Sequence, residues 1–211
     1  MGEYDPSWGS FALHFTRSIP TSEIPIRSSM MAIAVMDDDD PVLNQRSTSD
    51  LELVVDGKSF WCHKRIMTKR SDYINQALKT FADDDHVVVE IDIPQSLLPG
   101  YDSRPATKQR WFEIYLKNVY RVCCPIKNPI DCLALAGIAS LMGSRFLVDF
   151  CDQLLSDHPP ENNDLAFLYV LLAFAQQCRM PKYNETLQRE IEVLTTGRRQ
   201  GEGVVSFLSG S

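Results

Sequence analysis

Cys62 and His63 stand side by side, and a thiol next to an imidazole is the raw material of a nucleophile or a metal site. Neighbouring side chains in an extended strand point to opposite faces, however, so the two do not readily share one site. The other histidines, His14, His86 and His158, are far apart and show no ligand spacing. His63 therefore reads as a structural, hydrogen-bonded histidine. The acidic runs at 37–40 and 83–85 lack the glycine-spaced alternation of a calcium loop and read as solvated turns. No P-loop, dinucleotide fingerprint or serine-nucleophile elbow occurs. No catalytic residue, cofactor-binding residue or metal ligand is nominated.

The chain as a whole bounds its partners. Its 211 residues suit one domain with appendages or two small ones. Lys and Arg number 21 and Asp and Glu 28, giving a net charge of −7. That balance argues against sequence-independent nucleic-acid binding and against docking on anionic lipid, both of which need a basic surface. The six cysteines, at 62, 123, 124, 132, 151 and 178, form no C-x-x-C pair and mostly sit in apolar runs. They read as free buried thiols of a reducing compartment. The N-terminus shows no basic region followed by an apolar one, so secretion is not expected and the cytoplasm or nucleus is. The longest apolar run, 165–175, is too short to span a bilayer.

Stepping along the chain, residues 1–48 are punctuated by Pro6, Pro20, Pro25 and Pro41 and read as a flexible arm. Within it, the apolar heptamer 30–36 next to the acidic run fits either an edge strand or an unstructured apolar patch. From Asp50 the pattern changes. Leu51, Leu53 and Val55 alternate with polar or outward positions, a strand period. Asp56-Gly57 predicts a two-residue hairpin turn, and 59–63 returns as a second strand. Residues 64–70 form a short basic helix. Ser71 or Asp72 caps the next one, with Tyr73, Ala77, Leu78 and Phe81 on its inner face. Val87, Val89, Ile91 and Ile93 alternate as a third strand closed by Pro94.

Helices dominate thereafter. A loop over 95–107 leads to a helix with Trp111, Phe112, Tyr115, Leu116, Val119 and Tyr120 on one wide apolar stripe. After a turn at 123–129, residues 130–142 are small and apolar and predict a tightly packed inner helix ended by Gly143. Ser144 then caps a helix with Phe146, Leu147, Phe150, Cys151, Leu154 and Leu155 inward, broken at His158-Pro159-Pro160. Residues 164–178 are apolar nearly all round, which predicts cover on both sides. Residues 183–195 place Tyr183, Leu187, Ile191 and Leu194 inward, and 197–211 is Gly- and Ser-rich and reads as a loose tail.

The ordered pieces from Asp50 to Leu155 resemble a BTB/POZ domain. Ser49-Asp50 precedes a strand ending in Asp56-Gly57, followed by Phe60 and His63-Lys64. Ile66, Met67, Arg70-Ser71 and Tyr73 are similar to the family's H-K-x-x-L-x-x-R-S-x-Y pattern, with Met67 for Leu and Asp72 for Pro. Phe112-Glu113, Val119-Tyr120, residues 133–136 and residues 148–155 resemble later elements of the same family. The sequence departs from it in a longer link at 95–109, in Tyr120-Arg121-Val122, and in a small insertion at 142–145. Residues 161–196 resemble the first helical hairpin of a BACK region.

The resemblance implies an α+β fold: a small, mainly three-stranded sheet packed against about five helices, with a C-terminal helical hairpin. It divides the chain into an arm at 1–48, a BTB/POZ domain at 49–156, a BACK-like hairpin at 161–196 and a tail at 197–211. It implies an adaptor that pairs with itself and recruits a substrate protein to a cullin scaffold of a ubiquitin ligase. The alternative is a dimerisation or scaffold module, such as a transcriptional corepressor contact, with no ligase role. The charged pair of the family's dimer interface maps onto Asp50 and Arg70. Read from the residues alone, Asp50 caps the strand start and Arg70 is a helix-end cation facing water. The cullin-binding surface maps loosely onto Trp111, Phe112, Glu113 and Tyr120. The competing reading is that an aromatic stripe at helical spacing is core.

Overall fold

The computed structural model describes residues 42–81, 84–98, 104–121, 126, 128–160 and 164–205, with side chains to residue 196. The arm before Val42, its apolar heptamer and acidic run, Asp83, Cys123 and Cys124 lie outside the described residues, as does the end of the tail from 206. Three strands form a mixed sheet of order β2-β1-β3. β1 (Leu51–Val55) and β2 (Lys58–Cys62) make the hairpin, in register Leu53 to Phe60. Asp56 and Gly57 both take positive φ, 46° and 79°, as a type I′ turn requires. β3 (Val87–Glu90) lies parallel to β1, with Leu53 opposite Val89. The chain stays extended after β3, so Ile91 and Ile93 continue the inward alternation of Val87 and Val89.

Between hairpin and third strand run α1 (Lys64–Arg70) and α2 (Asp72–Leu78). Ser71 joins them. Its hydroxyl donates to the Met142 carbonyl at 2.6 Å and accepts the Ile74 N–H at 3.2 Å, capping α2. The inner face of α2 differs from the sequence reading. Ile74 and Leu78 are buried, whereas Tyr73 and Phe81 are about two-fifths exposed, at 40% and 43%. In a helix of two turns, Ile74 and Leu78, four apart, are enough to define a face; Tyr73 sits one position to its side, and Phe81 lies beyond the helix in the 3-10 turn Lys79–Phe81.

α3 (Pro105–Val119), α4 (Pro129–Leu141) and α5 (Arg145–Asp157) complete the core. All six residues of the α3 stripe are buried, and Phe112 meets Phe60 of β2 edge to face at 5.3 Å. α4 is buried along most of its length. At Gly137 a methyl group would stand 1.9 Å from the Leu97 carbonyl oxygen, so the 3-10 turn Gln95–Leu97 rests directly on the helix backbone. α4 begins in a reciprocal cap. Asn128 Oδ1 accepts the Asp131 N–H at 2.8 Å, while Asn128 Nδ2 donates to the Asp131 carboxylate at 3.2 Å.

α6 (Leu165–Gln177) and α7 (Pro181–Val205) follow as a helical hairpin. Tyr183, Leu187 and Ile191 point inward as the spacing predicts. Two expectations fail. The helix runs on to Val205 rather than giving way to a loose tail at 197, despite the cost of Gly197, Gly201 and Gly203 to a helix. And among the described residues α6 is covered on one side only: α7 packs against it, but Tyr169 and Val170 are 54% and 44% exposed.

Candidate protein-interaction site

His63 is the point where the sheet meets the helices. It leaves β2 and becomes the residue preceding α1, so the strand alternation used for Cys62 and His63 does not extend to it. Both side chains are buried and both meet the Tyr120 hydroxyl. That hydroxyl accepts the His63 main-chain N–H at 2.7 Å and pairs with ring Nδ1 at 3.1 Å. Nε2 pairs with the Thr48 hydroxyl at 3.3 Å. Burial pushes the Cys62 thiol up to about 12, so at neutral pH it stays a thiol rather than a nucleophilic thiolate. Burial also holds His63 below its usual range, against the opposing pull of Asp50. The cluster fixes the strand-to-helix corner. Among the described residues no group of histidine, cysteine and carboxylate could hold a metal ion.

Asp50 and Arg70 flank α1, one at each end. The Asp50 carboxylate accepts the Lys64 N–H at 2.7 Å, capping α1 rather than the strand start. This offsets the unfavourable placement of two cations, Lys64 and Arg65, in the first turn. The Arg70 guanidinium lies 5.0 Å over the Phe146 ring, and its carbonyl accepts the Ser144 hydroxyl. Because that hydroxyl proton is committed to Arg70, the Tyr115 hydroxyl donates to Ser144, at 2.7 Å. The Arg70-Ser71 corner is thereby tied to the α4–α5 junction. Ser144 bonds tertiary partners and makes no side-chain cap on α5, contrary to expectation.

The residues nominated for partner binding on α3 separate into core and surface. Trp111, Phe112 and Tyr120 are buried and cannot anchor a partner on the folded surface. Trp111 Nε1 donates to Asp131 at 3.1 Å, and Arg110 grips the same carboxylate with two bonds of 3.1 Å. Only Glu113 reaches solvent, where it pairs with Lys117 at 2.9 Å and Lys58 at 3.3 Å. The hydrogen bond from Lys117 and the second one from Lys58 hold its carboxyl below the usual range.

The surface that sequence reasoning missed is the outer face of α6. Thirteen residues without one charge form this helix, and Ala166, Tyr169, Val170 and Ala173 are all exposed along one stripe. An apolar helix should signal burial, and only its one-sided packing on α7 makes the stripe visible. The hairpin is set against the core by Asp152 of α5. This buried carboxylate accepts the main-chain N–H groups of Lys182 at 3.2 Å and Tyr183 at 2.8 Å, capping the first turn of α7.

Comparison with known proteins agrees with this architecture. The family model for the BTB/POZ domain matches residues 40–96, which include the whole sheet with α1 and α2. No curated protein matches the chain. The mixed sheet with its surrounding helices and the family match together show that the chain carries a BTB/POZ domain, a protein-interaction and oligomerisation module.

Proposed function

We infer that the protein is an adaptor: it pairs with itself through the BTB/POZ domain and holds a cullin scaffold of a ubiquitin ligase, bringing a substrate protein to it. The observation that carries this reading is the apolar stripe of α6, exposed among the described residues, in a hairpin whose second helix, α7, is capped by Asp152 of α5. Aromatic side chains such as Tyr169 are frequent hot spots when they enter a partner's pocket. Glu113, the only surface member of the α3 group, supplies a polar contact. In the dimer, Asp50 and Arg70 specify register more than they add stability, since buried opposite charges must pair. The hairpin at 161–196 acts as a BACK-like extension of the binding surface.

The test is calorimetric titration of the chain with the N-terminal domain of the BTB-binding cullin. The reading expects micromolar or tighter binding, weakened at least about tenfold by Tyr169→Ala. Because Tyr169 is exposed, that variant keeps its fold. A folded chain that self-associates but releases no heat with the cullin overturns the ligase role and leaves the scaffold reading.

A further inference from the structure

The two edges of the sheet end differently. Along β2, Asn44 takes up the outward groups of Trp61: it donates its main-chain N–H to the Trp61 carbonyl at 2.9 Å, and its Oδ1 accepts the Trp61 N–H at 3.0 Å. β3 is the opposite edge, and among the described residues no strand lies on its outer side. Val87 donates its N–H to the Asp50 carbonyl at 3.2 Å and Ile91 donates to the Val54 carbonyl at 2.8 Å, so both turn toward β1. Amides alternate along a strand, and the N–H and C=O groups of Val88 and Glu90 therefore point outward. They form a template for a further strand.

The side chains along this edge select what such a strand carries. Val88 is 52% exposed. Glu90 and Asp92 follow on the same face of the extended chain and are exposed as well. The neighbouring basic groups are engaged elsewhere: the Lys64 ammonium is held by the carbonyls of Asp84 and Asp85, and His86 pairs with Glu52 at 3.7 Å beside the Trp61 ring. Among the described residues no ion pair takes up Glu90 or Asp92. One apolar side chain and two carboxylates thus stand beside open main-chain donors and acceptors. Two copies of β3 side by side would bring these carboxylates, with Asp84 and Asp85, into one another's field, whereas a basic segment meets opposite charge.

We propose that the outer edge of β3 takes up a basic, extended segment of a partner protein by strand addition. Main-chain bonds to Val88 and Glu90 hold the segment, and its alternate side chains place an apolar group on Val88 and Lys or Arg on Glu90 and Asp92. The net charge of −7 favours the approach of such a segment from a distance. The docking is independent of the cullin reading, which concerns α6.

NMR titration of the full chain with the acetylated, amidated peptide Lys-Thr-Lys-Thr-Val-Thr-Lys-Thr-Lys tests this, because its pattern fits the edge in either direction. Amide exchange at Val88 and Glu90 should slow at least about tenfold at saturation, as new main-chain bonds protect them. The affinity should fall at least about threefold between about 0.05 M and about 0.5 M salt, as screening shortens the range of the attraction. Absence of binding, or binding that leaves exchange at both amides unchanged, overturns the proposal. In a second arm, Glu90→Lys combined with Asp92→Lys, both at exposed positions and with folding checked by circular dichroism, should lower the affinity at least about tenfold and favour the peptide with Glu in place of each Lys. Undiminished binding of the basic peptide by that variant overturns the charge match. So does slow exchange at Val88 and Glu90 without peptide: lost on dilution, it assigns the edge to a second copy; kept at every dilution, it assigns the edge to another segment of the same chain.

Discussion

Asp152 on α5 accepts the main-chain N–H of Tyr183 at 2.8 Å, and through that bond the helical hairpin is joined to the helices before it. A side chain from one helix thus caps another, thirty-one residues later. The cap is charge-assisted and buried, so it orients α7 as well as satisfying its free donors.

Asp152→Ala should therefore loosen the hairpin more than the core. The cost expected for losing such a cap is about 1–2 kcal/mol. Hydrogen exchange should accelerate at Lys182, Tyr183 and along α6, while the amides of β1 stay protected. Equal acceleration in sheet and hairpin would show that the two unfold together and that the cap has no local role.

Tyr120→Phe removes the acceptor of the His63 N–H without changing the ring. Leaving a buried donor unpaired costs about 1–3 kcal/mol, so the denaturant midpoint should fall with an unchanged slope. An unchanged midpoint would mean that the corner is held by packing alone.

Much of this arrangement was legible in the residues. Asp56-Gly57 specifies its turn because both positions need positive φ, and residues 64–70 form the helix their spacing suggests, ended by Ser71. Other features depend on neighbours that a local pattern does not contain. Ile74 is buried on the inner face of α2, and the start of that helix is tied to the end of α4 by the Ser71 hydroxyl on the Met142 carbonyl. The hydroxyl of Ser144 is a plausible cap in sequence, yet Arg70, seventy-four residues earlier, takes it. For the site, the α3 stripe was visible as apolar, but only packing shows it to be core, and only packing exposes α6.

Gly137→Ala places a methyl carbon where the Leu97 carbonyl oxygen already sits. Ala is otherwise the better helix former by about 1 kcal/mol, so propensity alone predicts stabilisation. Because backbone must move, a net loss of about 1–3 kcal/mol is expected instead. Thermal unfolding distinguishes the two, and a raised Tm would show that the 3-10 turn Gln95–Leu97 yields easily.

His63 gives the protein a sensitivity to mild acid. Its native pKa is held below the ordinary imidazole value of about 6.5, chiefly by burial, so the unfolded chain binds the proton more readily. Stability from this group is fully present above about 6.5 and is lost as pH falls from there toward the depressed native value. Urea midpoints measured between pH 7.5 and 5 should fall toward acid, and His63→Gln should flatten the profile. A midpoint independent of pH in the parent chain would contradict the burial argument.

Self-association tests the central claim most directly. Sedimentation equilibrium of the full chain over a wide concentration range should return a mass of twice the 23.9 kDa chain or a higher multiple, as an oligomerisation module requires. A mass of 23.9 kDa at every concentration, from a chain that is folded by circular dichroism, would contradict the account.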